Sequence, residues 1–172
     1  MKVQYPGIGA ALEADLDNMG SVAKAVNVAL GQVGGYYAEL RKELLAELDY
    51  QREARLCEEF RRAASALPDL CVPATVPERT SRRVLTLERL PGKTLKELLG
   101  HGLERVDGAE RFRVSRLLLW GVLGPFLSTG VVHADPHPGN FLLMPDGRLG
   151  VVDYGPVKRL PDRFVRACRR WG

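Results

Sequence analysis

Apolar residues recur at helical spacing through the first third of the chain. Ala11, Leu12, Leu16, Met19, Val22, Ala23 and Val26 fall on one stripe and predict a helix over residues 8–30. Gly34 and Gly35 mark a break. Beyond them Leu40, Leu44, Leu48 and Phe60 keep near-helical spacing in a stretch rich in Glu, Leu, Arg and Ala. These residues predict one long helix over 36–66, closed by Leu67-Pro68-Asp69.

The pattern then changes period. Residues 71–90 combine prolines with the β-favouring run Val84-Leu85-Thr86-Leu87, which predicts one or two short strands ending before Pro91-Gly92. Residues 93–99 (KTLKELL) open another helix. The uncharged stretch 117–132 is shorter than the roughly 20 apolar residues needed to cross a bilayer, and Gly121, Gly124 and Pro125 interrupt it. It predicts a buried helix ending near Gly130. Two apolar runs follow, 141–143 and 149–152, joined by Pro145-Asp146-Gly147, and these predict a β-hairpin. Near the C-terminus Arg159, Arg163, Arg166 and Arg170 alternate with Leu160, Phe164, Cys168 and Trp171. A basic amphipathic helix can lie on an anionic membrane, but the reading preferred here is a helix of the protein interior. No internal repeat and no low-complexity segment is present.

Composition narrows the class without naming a function. With 45% hydrophobic and 27% charged residues the 172-residue chain is a globular one, with room for about one domain. The net charge of +4 is spread among nearly as many acidic residues and does not nominate nucleic acid as a partner. Cys57, Cys71 and Cys168 contain no C-x-x-C pair, which fits a reducing compartment. The first seven residues lack the apolar core and cleavage site of a signal peptide, so the expected location is cytoplasmic, with peripheral membrane attachment as an option.

The chemistry concentrates in His133-Ala134-Asp135-Pro136-His137-Pro138-Gly139-Asn140, followed across the hairpin by Asp153-Tyr154-Gly155. An Asp in a loop, an Asn five residues later and a second Asp before Gly across a hairpin form the kinase spacing. Phosphoryl transfer requires two hard oxygen ligands for Mg²⁺, here Asn140 and Asp153, and one carboxylate, Asp135, beside the phosphate acceptor. Each residue alone reads as a turn former; the three at this spacing read as a nucleotide and metal site. A competing arrangement makes His133, Asp135 and His137 zinc ligands, but Pro136 and Pro138 disfavour the regular strand it needs and no fourth ligand is evident.

Two further segments extend the pattern: Lys2-Val3-Gln4-Tyr5-Pro6-Gly7 and Glu47-Leu48-Asp49-Tyr50-Gln51-Arg52-Glu53-Ala54. With HADPHPGN and DYG they resemble the UbiB/AarF/ADCK family of atypical protein-kinase-like proteins across nearly the whole chain. The resemblance implies an α+β, protein-kinase-like fold. Residues 1–90 would form part of a small lobe with its long helix and hinge strand, and 91–172 the first part of a mainly helical large lobe. It implies that Lys2 contacts nucleotide phosphates and Glu53 is its ion-pair partner. Glu47 and Asp49 match the family's E-x-D motif, Asp135 its catalytic-loop aspartate, and Asn140 and Asp153 its metal ligands. Glu88 and Leu90 fall where hinge backbone groups hydrogen-bond adenine.

The cofactors so implied are ATP or ADP with Mg²⁺, the activity ATPase or phosphotransferase, and the role ubiquinone or isoprenoid-lipid metabolism, with an isoprenoid lipid or membrane surface as a further partner of the intact protein. The family pattern also has segments on both sides of this stretch, which leaves Lys2 on an open strand edge with little to immobilise it. Two alternatives stand beside this reading: a non-catalytic pseudokinase-like module, and a small-molecule phosphotransferase of the aminoglycoside or choline kinase type, which shares the H-x-D-x-x-x-x-N loop.

Overall fold

A computed structural model describes residues 1–30, 33–100 and 107–170. Tertiary contacts divide the chain into two compact units, Met1–Glu53 with Pro77–Thr86, and Ala54–Val76 with Leu87–Gly172.

In the first unit, strand β1 (Lys2–Val3) is followed by helices α1 (Ile8–Leu30) and α2 (Val33–Ala46) and by the start of α3 (Tyr50–Ala63). The helix expected over 8–30 is present with those bounds. The long helix expected over 36–66 is not continuous: α2 begins at Val33, ahead of the two glycines, and the chain breaks at residues 47–49 before α3 starts. Asp49 causes the new start, since its Oδ1 accepts the backbone N–H groups of Gln51 at 3.0 Å and Arg52 at 3.1 Å. A short carboxylate that satisfies the orphan donors of a first turn favours a cap over a helix interior. Strand β3 (Val84–Leu85) is shorter than the run 84–87 suggested, and pairs antiparallel with β1 in the register Lys2 to Leu85 and Val3 to Val84.

The second unit carries the larger core. Strands β2 (Leu70–Cys71), β4 (Lys93–Thr94), β6 (Phe141–Leu143) and β7 (Leu149–Val151) form a sheet in the order β2-β7-β6-β4. The hairpin read from the sequence is β6–β7, with Phe141 opposite Val151 and Leu143 opposite Leu149. Thr94 ends β4 and starts helix α4 (Leu95–Leu99) through a capping box with Glu97, so the expected helix at 93–99 begins two residues late. Helix α5 (Gly108–Thr129) lies against the sheet. A Cβ on its Gly121 would stand 3.2 Å from Leu149 and from Leu70, so the missing side chain permits the close approach.

The buried helix expected over 117–132 is buried on one side only. Leu117, Gly121, Gly124, Pro125 and Phe126 are buried, whereas Leu119 and Trp120 are more than half exposed. An unbroken apolar run on a helix covers every direction around its axis, but the sheet covers only one. Among the described residues, no helix is long and apolar enough to cross a membrane.

Gly130 ends α5 in the left-handed conformation and delivers the chain to strand β5 (Val131–His133), which pairs antiparallel with β8 (Val157–Arg159). Helix α6 (Asp162–Arg169) follows, docked through buried Val165 and through Arg169, whose guanidinium donates to the carbonyls of Leu127 and Ser128. Arg159 is not on this helix: it lies in β8 and forms an ion pair with Glu59 at 2.7 Å. Phe164 is half exposed, and Trp171 lies outside the described residues.

Candidate functional site

In the first unit the candidate residues centre on Lys2. Its ammonium lies 2.9 Å from Oε2 and 3.1 Å from Oε1 of Glu53 in the first turn of α3, and 5.0 Å from the centre of the Tyr50 ring. Gln4 secures the same strand by donating to the carbonyls of Leu48 and Arg82, while its own N–H donates to Arg83. The expectation that Lys2 has little to immobilise it is therefore corrected: strand pairing, a carboxylate and an aromatic face all hold it. In the sequence Gln4 is only one position of a motif, because its anchoring role depends on carbonyls 44 and 78 residues away.

The pair is unequal in exposure, since the Lys2 side chain is 47% exposed and that of Glu53 only 6%. Removing the cation takes the ammonium away from a nearly buried carboxylate, whereas removing the charge from both sides leaves no charge there to offset. Lys2→Met is therefore expected to lower unfolding free energy by about 1–3 kcal/mol, and the double variant Lys2→Met with Glu53→Gln to recover part of it. Urea unfolding of the three proteins checks this; a double variant no better than Lys2→Met would count against it. Glu47 lies in the break between α2 and α3, and Asp49 is the α3 cap already described, so the two residues of the E-x-D pattern occupy different local environments.

In the second unit, β5 ends at His133 and the chain runs through residues 134–137 into a short 3₁₀ turn at Pro138–Asn140, which feeds β6. The Asn140 amide donates to Asp135 Oδ2 at 2.9 Å and to the Asp135 carbonyl at 3.3 Å. With its nitrogen so occupied, Asn140 offers its amide oxygen as a hard donor atom. Asp153 follows β7, and two hydrogen bonds tie its segment to the loop: Val152 N–H to the Asn140 carbonyl at 3.0 Å, and His133 Nε2–H to the Asp153 carbonyl at 2.6 Å. Of the sequence-predicted residues, Asp135 and Asn140 are bonded to each other, while Asp153 is tied to their loop through backbone groups alone in these bonds.

His133 is 1% exposed, and its ring lies 5.9 Å from Phe60, 5.7 Å from Phe141 and 6.5 Å from Tyr154, measured between centroids. This aromatic cluster was not legible as a support of the loop. Phe60 was visible only as an apolar position on a helix, and Tyr154 only as the middle of DYG. Burial holds the Tyr154 phenol well above its ordinary value of 10, so it stays neutral, and it donates to the Val151 carbonyl at the end of β7.

The zinc arrangement does not form. His133 is enclosed by aromatic rings and donates to a carbonyl, while His137 is exposed with Nδ1 accepting the Gly139 N–H. Among the described residues, no group of three or more His, Cys, Asp and Glu side chains converges as a metal site. One amide oxygen and one carboxylate suit Mg²⁺ instead, which retains waters and shares phosphate oxygens with the protein. Of the residues assigned to adenine, Glu88 donates its N–H to the Ala74 carbonyl at 2.8 Å, and Leu90 packs at Gly150 of β7.

Residues 1–171 match the ABC1 atypical kinase-like domain family. The chain is 33% identical over 172 residues to Protein ACTIVITY OF BC1 COMPLEX KINASE 3, chloroplastic, of Arabidopsis thaliana, a match covering 94% of this chain and 23% of that protein. It is 29% identical over 171 residues to Atypical kinase COQ8B, mitochondrial, of Danio rerio, covering 96% of this chain and 26% of that one. Among solved structures, that of Rv3197 from Mycobacterium tuberculosis in complex with erythromycin superimposes with a TM-score of 0.78 at 34% identity, covering 92% of this chain and 40% of that one. The chain therefore spans about a quarter of the length of these curated relatives. The kinase-like fold expected from the sequence is borne out by the family match.

Proposed function

The chain belongs to the ABC1 atypical kinase-like family, and from that premise we propose that it binds ATP or ADP with Mg²⁺ and that the intact protein is an ATPase or phosphotransferase. The observation that carries this reading is the Asn140 amide nitrogen bonded to Asp135, on a loop to which His133 and Val152 tie the backbone of the Asp153 segment. Asn140 and Asp153 would hold Mg²⁺, which supplies neutralisation of phosphate charge when bound.

The chain's own groups account for the rest. Lys2, kept in place by Glu53, offers its ammonium to phosphate oxygens, and its half-exposed position leaves room for that contact. Asp135 is exposed, so it can accept the proton of an attacking hydroxyl or water, while the Asn140 amide on Oδ2 fixes its orientation. The Glu88 N–H is already bonded to Ala74, which leaves the Glu88 carbonyl as the acceptor for the adenine amino group and the Leu90 backbone as its neighbour.

Ubiquinone or another isoprenoid lipid is the proposed metabolic context of the intact protein, with a membrane surface as its partner, resting on the UbiB/AarF resemblance. Calorimetric titration with ATP in Mg²⁺ and in excess chelator tests the core of the reading. Saturable binding that strengthens with Mg²⁺ is expected; binding indifferent to Mg²⁺ would remove the metal from the proposal.

A further inference from the structure

We infer that His137 is a positioning residue for the metal-ligand turn, acting through its Nδ1 cap on Gly139; the inference rests on the Mg-nucleotide reading above. The side chain sits two residues after Asp135 and three before Asn140, between Pro136 and Pro138. Its Nδ1 accepts the Gly139 N–H at 3.1 Å, and its carbonyl accepts the Asn140 N–H at 2.9 Å. Both orphan donors of the turn Pro138–Asn140 are therefore satisfied by one residue, since Pro138 has no N–H to satisfy.

That turn sets the direction from which the Asn140 amide reaches Asp135. Three consecutive positions, 136–138, have φ restricted by proline or by the cap, so the turn is held from both ends. Gly139 completes the fit. A Cβ there would lie 3.0 Å from Nδ1 and 3.3 Å from Cε1 of His137, closer than the imidazole can tolerate without shifting. Histidine and glycine thus form a matched pair: the small residue admits the ring, and the ring bonds the small residue's N–H.

The ring's chemistry adds a constraint. A nitrogen that accepts carries no hydrogen, so the cap uses the lone pair of His137 Nδ1. A residue that holds a metal ligand from outside the coordination sphere contributes to metal affinity without touching the metal, commonly by about 10–100-fold.

The test measures Mn²⁺, a paramagnetic stand-in for Mg²⁺, binding to the ATP-loaded protein by electron paramagnetic resonance, with thermal unfolding followed in parallel. His137→Ala is expected to weaken Mn²⁺ by about ten-fold. His137→Asn is expected to restore it, because an Asn side-chain oxygen can accept the N–H two residues on, as in an Asx turn. Gly139→Ala should weaken Mn²⁺ as His137→Ala does, by displacing the ring. Wild-type affinity in His137→Ala would overturn the inference, as would a failure of His137→Asn to restore it. A wild-type protein that binds no Mn²⁺ in the presence of ATP would overturn the Mg-nucleotide reading and the inference with it, an outcome distinct from the other two.

Discussion

Asp153→Asn is expected to abolish the gain in ATP affinity that the proposed Mg²⁺ site would confer on the wild-type protein. Asparagine matches aspartate in size, and the bond from His133 reaches the backbone carbonyl of residue 153, so the local chain path should survive the replacement. What is lost is one negative charge and one hard anionic oxygen. Asn140 is already an amide, so a second amide leaves the ion with no carboxylate from this pair. Loss of a ligand should cost more than the roughly 10–100-fold attached to an outer-shell partner. Parallel titrations of both proteins, each with Mg²⁺ and with chelator, read the effect directly. An equal gain from Mg²⁺ in the two proteins would sink the assignment of Asp153 as a metal ligand.

Phe60→Ala is expected to lower the unfolding free energy by about 3–5 kcal/mol, the range for deleting a buried aromatic side chain. Phe60 is fully buried, and its ring lies 5.9 Å from His133 and 6.0 Å from Tyr154. Truncation would open a cavity beside the histidine that holds the Asp153 carbonyl and the tyrosine that bonds the end of β7. Phe60→Leu keeps most of the volume and should cost under about 1.5 kcal/mol. Denaturant unfolding of the two variants separates cavity from chemistry. A loss below about 1 kcal/mol for Phe60→Ala would mean that the cluster repacks and does not support the loop.

Much of the candidate site was legible because its residue pattern is local. Asp135 and Asn140 are five residues apart, and the strands that return the chain to Asp153 announce themselves as two apolar runs around Pro-Asp-Gly. Lys2 and Glu53 are 51 residues apart, and only their resemblance to known motifs linked them before the ion pair was seen. The break at 47–49 escaped the periodicity, since Leu44 and Leu48 continue the apolar stripe across it. Spacing reports which face a residue would occupy in a helix; it does not report that the Asp49 side chain competes for the N–H groups that start one.

By itself the sequence determined the first helix, the hairpin and the kinase-type spacing of Asp135, Asn140 and Asp153, all of which follow from neighbours a few residues apart. Only the tertiary structure decided that Lys2 is held rather than loose, that half of α5 faces outward, and that His133 is locked among Phe60, Phe141 and Tyr154 while His137 stands exposed as a cap. The physical reason is range. Turn, cap and strand preferences act along the chain, whereas burial and ion pairing depend on groups that only the folded backbone brings within contact distance.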